Sequence, residues 1–138
     1  SITTFKKNII DLIRPKPRPW FDVHDPIGLR FLFQLRVGLS PLKYHKKRHN
    51  FIDTPDDMCD CGVSSENVSH FLFYCPLYVV QRLEFRNTIT DILHANNLIH
   101  LIDNTEIYLY GHKSLRPDVN KVILLSTISF IKNSSRFS

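Results

Sequence analysis

All the thiols of the chain lie close together, at Cys59, Cys61 and Cys75, with His70 standing between the second and the third. The spacing is C-x-C, eight residues, H, four residues, C. Three thiolates and one imidazole nitrogen are the donors that Zn²⁺ takes in a closed tetrahedral site. Gly62, directly after the second cysteine, lets the backbone turn where a Cβ would obstruct it. Taken singly, these residues are equally compatible with reduced buried cysteines and a surface histidine, because free cysteine is commonly buried. A disulfide framework fits less well, given the odd count and the single residue separating Cys59 from Cys61, a span that would strain a direct bridge. A complete four-ligand set leaves no open position for an activated water, so the expected metal is one structural Zn²⁺.

The second chemical feature is a cluster of cations. Lys43, Lys46, Lys47 and Arg48, interleaved with Tyr44, His45 and His49, can neutralise phosphates and release their counterions. Residues 1–50 hold eleven Lys or Arg against three Asp, a balance of +8, and residues 51–138 hold seven against ten acids, a balance of −3. The basic half invites a polyanion; a solvated face is the plain alternative. His45 and His49 read as part of that solvated face, and Asp56-Asp57 as an acidic turn. No Ser/His/Asp or Cys/His set reads as a nucleophile, so no catalytic residue is assigned. The four glycines are too scattered for a phosphate cradle.

These groups need elements to hold them. The 138 residues, 43% hydrophobic and 22% charged, are enough for a chain to bury a real core. Helical spacing is seen at Phe5, Ile9, Ile10, Leu12 and Ile13, ending at the proline-rich stretch over 15–19, which reads as a stiff basic connector. Asp25-Pro26 caps a helix running to Val37, and Ser40-Pro41 opens a short basic helix. His70 is expected on a short helix begun near Ser65-Glu66, with Cys75 just past its end and Glu66 accepting from the imidazole's other nitrogen. Pro76 opens a third helix with an apolar stripe of Leu77, Val80, Leu83, Ile89, Ile92 and Leu93. Residues 107–110 are ambiguous between helix and strand, and Pro117-Asp118 begins a last helix through Val122, Ile123, Leu125, Ile128 and Ile131. The longest apolar run, over 122–131, is interrupted by Ser126, Thr127 and Ser129 and falls short of the roughly 20 residues that cross a bilayer. No membrane partner is expected. The N-terminus, without Met or a secretory layout, reads as cut from a longer intracellular chain of the nucleus or cytoplasm. The fold class is mostly α: a small helical domain with an embedded CCHC zinc knuckle-like loop. Its parts are a basic segment over 1–50, the zinc segment over 51–76 and a helical segment over 77–138.

The run Leu35-Arg36-Val37-Gly38-Leu39-Ser40-Pro41-Leu42, then His45, Arg48-His49-Asn50-Phe51, Cys59-x-Cys61-Gly62, Glu66, His70-Phe71-Leu72, Cys75-Pro76-Leu77-Tyr78 and Leu109-Tyr110-Gly111 resembles the C-terminal tail of non-LTR (LINE-like) retrotransposon reverse transcriptases. The likeness covers most of the chain. It implies metal ligands at Cys59, Cys61, His70 and Cys75, and a non-catalytic part of an RNA-directed DNA polymerase that helps hold template RNA or target DNA. It also implies the rest of the reverse transcriptase as a partner. The polymerase's own aromatic-Ala-Asp-Asp motif is not in these residues.

Overall fold

A computed structural model describes residues 25–138; the helical pattern over 5–13, the proline-rich stretch and Trp20 lie outside the described residues. Among the described residues five α-helices carry the fold: α1 (Pro26–Val37), α2 (Lys43–Arg48), α3 (Val79–Ala95), α4 (Thr105–Tyr110) and α5 (Pro117–Ser134). A π-helical turn over His70–Tyr74 and 3-10 turns over Pro76–Tyr78 and Ile99–Leu101 join them. Among the described residues there is no strand, only an isolated bridge between Met58 and Ser65. The protein is mostly α, as expected.

Helix α1 starts where its sequence says it must. The Asp25 carboxylate accepts from the Gly28 amide at 2.9 Å and Pro26 fills the first turn, so one orphan donor is satisfied and no other is wasted. The Lys132 ammonium of α5 pairs with the same carboxylate, and that hydrogen bond above all holds Asp25 below the usual carboxylate range. One side chain thus caps α1 and ties it to α5.

Helix α5 is the axis on which α1, α3 and α4 all pack. It buries Ile123, Leu124, Thr127, Ile128, Phe130 and Ile131. Val122 and Leu125 of the same helix are 44% and 39% exposed. At its crossing with α1 the backbones come so near that a Cβ on Gly28 would run into Ile128 Cγ2 and the Asp25 carboxylate. Gly28→Ala is therefore expected to cost about 1–3 kcal/mol through overpacking, read as a lower midpoint in urea unfolding; an unchanged midpoint would show that the crossing has slack.

Aromatic rings fill the space beneath. Phe71 touches Tyr78, Phe130 and Phe137 at 5.4, 5.2 and 5.5 Å between centroids, and Phe85 stacks on Phe130 at 4.8 Å. Such pairs add about 0.5–1.5 kcal/mol each beyond the area they bury. The stripe expected on α3 is corrected in its first half: Leu77, Val80 and Leu83 are 52%, 81% and 66% exposed, while Arg82, Phe85, Ile89 and Leu93 point inward. Within this one continuous helix Val80 stands about 180° from Ile89, at about 100° per residue, whereas Arg82, Phe85, Ile89 and Leu93 fall on a single face. Residues 107–110 resolve as helix, capped by the Asn104 side chain accepting from the Glu106 amide at 2.9 Å.

Candidate metal centre

The cysteine loop is built from backbone hydrogen bonds. Cys59 donates to the Ser64 carbonyl at 2.9 Å and Gly62 donates back to the Cys59 carbonyl at 2.9 Å. Gly62 sits at φ 78°, left-handed backbone that a side chain would strain. Asp57 holds the far side of the loop: its carbonyl accepts from the Glu66 amide at 2.8 Å and its carboxylate from the Ser65 hydroxyl at 2.9 Å. Asp56 accepts from the Met58 amide at 2.9 Å. The acidic pair is a turn, as its sequence suggested, and the turn frames the loop.

His70 opens the π-helical turn, which is started by the Asn67 side chain accepting from the His70 amide at 2.8 Å. The helical geometry begins at Val68, later than Ser65-Glu66, and Cys75 caps its end. Because Phe71, Leu72 and Phe73 on the same turn are buried in the aromatic core, His70 and Cys75 are placed by the core itself.

The four donors converge. Cys59 Sγ and Cys75 Sγ are 3.7 Å apart, Cys61 Sγ and His70 Nε2 are 3.3 Å apart, and all four ligand atoms lie within 4.8 Å of one another. Bond lengths of about 2.3 Å to sulfur and about 2.0 Å to nitrogen give tetrahedron edges of roughly 3.5–3.8 Å. These residues can hold one metal ion. The other imidazole nitrogen, Nδ1, meets Ser64 Oγ at 2.9 Å, and that hydroxyl is 3.2 Å from the Ser65 carbonyl. With Nε2 on a metal, Nδ1–H donates to Ser64 and Ser64 donates onward, which fixes the tautomer. The acceptor is Ser64, and the expectation for Glu66 is corrected.

Without a cation the site is electrostatically awkward. Burial pushes the Cys59 thiol up to about 12, and burial likewise raises Cys75. Burial also opposes ionisation of Cys61, but the amides of Val63 and Ser64 and the neighbouring thiols outweigh it and lower that group. Val63 N–H lies 3.4 Å from the Cys61 sulfur. Burial lowers His70, leaving a neutral imidazole free to ligate. Three thiols this close favour charge only when a dication shares the space.

Glu66 does something else. Its carboxylate accepts from the Lys43 amide at 2.8 Å and from Arg136 Nε and Nη2 at 2.8 and 2.7 Å, while its carbonyl accepts from the Tyr44 amide at 3.2 Å. A residue of the metal loop therefore caps α2 from 23 positions away. Arg136 also donates to the Pro41 carbonyl at 2.8 Å. A second cation, Arg82, is 7% exposed and donates to the carbonyls of Phe71, Leu72 and Cys75 at 2.9, 2.9 and 2.8 Å. Neither arginine stands out in the sequence, since Arg82 lies among Gln81, Glu84 and Arg86.

Helix α2 carries the cation cluster. Lys43 pairs with Asp60 at 2.6 Å and Lys46 faces Asp53 at 3.7 Å, while Lys47 and Arg48 are exposed and make no ion pair among the described residues. His49 is exposed, but His45 is buried, its Nδ1 2.6 Å from Ser40 Oγ, which also accepts from the Leu42 amide at 3.2 Å. The solvated reading of His45 is corrected: it plugs the underside of α2, and burial lowers its pKa.

Comparison of the chain with protein-family models, curated proteins and solved structures finds no match. No helix among the described residues is long and apolar enough to cross a membrane.

Proposed function

We propose that this is a non-catalytic, zinc-stabilised nucleic-acid-binding domain, the C-terminal part of a retrotransposon-encoded RNA-directed DNA polymerase, which helps hold template RNA or target DNA. The ion at Cys59, Cys61, His70 and Cys75 is Zn²⁺, since three thiolates and an imidazole in a closed tetrahedral set suit zinc better than a hard cation. Bound there, zinc supplies structural cross-linking and the charge that keeps the thiolates ionised.

The observation that carries the reading is the fixed attachment of a basic helix to the metal loop. Glu66 caps α2 and Asp60 pairs with Lys43, so Lys47 and Arg48 are held outward at a set angle to that loop. A phosphate backbone rewards such an arrangement, because the backbone that carries the cations needs no further ordering on contact.

Binding through about four phosphates predicts a log–log salt slope near −4 for duplex DNA, and reversing Lys46, Lys47 and Arg48 to Glu should flatten it toward zero. Binding that ignores salt and these substitutions would sink the reading.

A second reading has its own observation. Tyr74, Leu77, Val80 and Leu83 are 59%, 52%, 81% and 66% exposed on neighbouring turns, an apolar face of the kind that marks protein contact. It favours a scaffolding module that packs on the body of the polymerase. Polar substitution at Val80 and Leu83 that weakens association with the rest of that polypeptide, with the salt slope unmoved, would support it.

A further inference from the structure

The turn that follows α2 presents an apolar point that no fold requirement explains. Ile52 is 101% exposed and Phe51 beside it 51%. The turn is nonetheless well held. Asn50 takes a left-handed φ of 57°, its amide donates to the Lys47 carbonyl at 3.0 Å, and the Phe51 amide donates to the Lys46 carbonyl at 3.1 Å. This is the Schellman arrangement, which ends a helix and reverses the chain in one conformation. The Thr54 amide then closes on the Phe51 carbonyl at 3.1 Å, and Thr54 is buried at 6% exposure. Lys46 reaches over the Phe51 ring at 5.9 Å. Ile52 is thus the tip of a braced turn, one residue from an aromatic ring and a few residues from the exposed cations Lys47 and Arg48.

We infer that this tip is a wedge: Ile52, backed by Phe51, inserts between neighbouring bases of a nucleic acid while Lys47 and Arg48 hold the flanking phosphates. The inference rests on the nucleic-acid reading and adds the form of nucleic acid preferred. Apolar wedges enter base steps at a cost of a few kcal/mol of unstacking, and that cost is least where a base is already unpaired. The preferred ligand is therefore a duplex interrupted by a bulge or mismatch. The exposed Lys47 and Arg48 beside the tip fit a polyanion, and the one acid next to it, Asp53, faces Lys46 at 3.7 Å. A lipid surface is the other class such a tip could meet, but durable membrane attachment takes more than two apolar side chains, and Asp53 next to Ile52, 71% exposed, would have to be carried toward the acyl chains.

The test uses the whole chain with a DNA duplex carrying one single-nucleotide bulge, 2-aminopurine beside it, and the fully paired duplex for comparison. Wild type should bind the bulged duplex about tenfold more tightly, a difference of about 1.4 kcal/mol, and raise the 2-aminopurine fluorescence. Ile52→Ala, at a position with nothing packed on it, should leave the melting temperature and salt slope unchanged while abolishing both the preference and the fluorescence rise; Ile52→Leu should restore them. Equal, salt-dependent binding of the two duplexes by wild type and Ile52→Ala overturns the wedge and leaves the nucleic-acid reading intact. Binding to neither duplex overturns both. Capture by phosphatidylserine vesicles that depends on Ile52, with no binding to either duplex, overturns the inference in favour of a membrane surface.

Discussion

Cys59→Ser and His70→Ala should each lose the bound zinc, about one ion per chain by native mass spectrometry, together with the order of the cysteine loop over 57–66. The argument is one of linkage. Metal binding in finger peptides releases about 10–16 kcal/mol, and where the site does not exist in the unfolded chain that energy is folding energy. Here part of the fold has its own support, since α1, α3 and α5 share buried Leu32, Phe85, Ile89, Ile123 and Ile131. The loss should therefore be graded: amide exchange accelerates first over 57–66 and in α2, whose N-terminus depends on Glu66, while the core-packed turn over 70–74, α3 and α5 keep most of their protection. The pH dependence has a definite sign. Burial raises the Cys59 and Cys75 thiols, so both are protonated in the metal-free site at neutral pH and zinc must displace those protons. Affinity then rises with pH through the neutral range, and acid releases the ion. His70, lowered by burial, is already neutral and contributes no such release. Unchanged metal content in both variants would defeat the zinc assignment, whatever the variants do to stability.

The cluster of Cys59, Cys61, His70 and Cys75 was readable from the sequence because donor chemistry is local to the residue: a thiol or imidazole can ligate by its own atoms, and the short loop forces Cys59 and Cys61 together. Helix α1 was readable for the same reason, with Asp25, Pro26 and the apolar residues to Val37 stating its start and length. What was not readable depends on distant partners. Ser64 and Glu66 are both plausible acceptors for His70 by spacing, and only the folded chain shows Glu66 taken by Arg136, 70 residues away. His45 sits among cations and reads as solvated, yet its neighbour Ser40 draws it inward. The inward face of α3 departs from the expected stripe because Val80 and Leu83 do not share a helical face with Ile89 and Leu93, whereas Arg82 and Phe85 do.

Arg82→Met tests what that buried charge is for. Met nearly matches the length of the Arg stem and keeps the apolar contacts, so the substitution removes mainly the donors. The carbonyls of Phe71, Leu72 and Cys75 would then lose this donor at the end of the turn that carries His70 and Cys75, although that of Cys75 keeps the Tyr78 amide at 3.3 Å. An unsatisfied buried polar group costs about 1–3 kcal/mol, partly offset because the guanidinium's own desolvation is relieved. The expected loss is therefore about 1–3 kcal/mol, a fall in melting temperature of roughly 3–10 °C at this chain length. Lysine should recover only part of it, because a single ammonium lacks the planar fork that reaches all three oxygens. Stability alone would not separate a general packing role from support of the metal loop. The distinguishing measurement is zinc transfer to a competing chelator, followed at a temperature where the variant is still folded. If Arg82 holds the turn in register for Cys75, transfer from Arg82→Met is faster by about tenfold or more, in the range found when residues supporting metal ligands are removed. An Arg82→Met protein that melts with wild type and gives up its zinc no faster would mean that the three carbonyls find other donors and that the guanidinium is not what aligns the site.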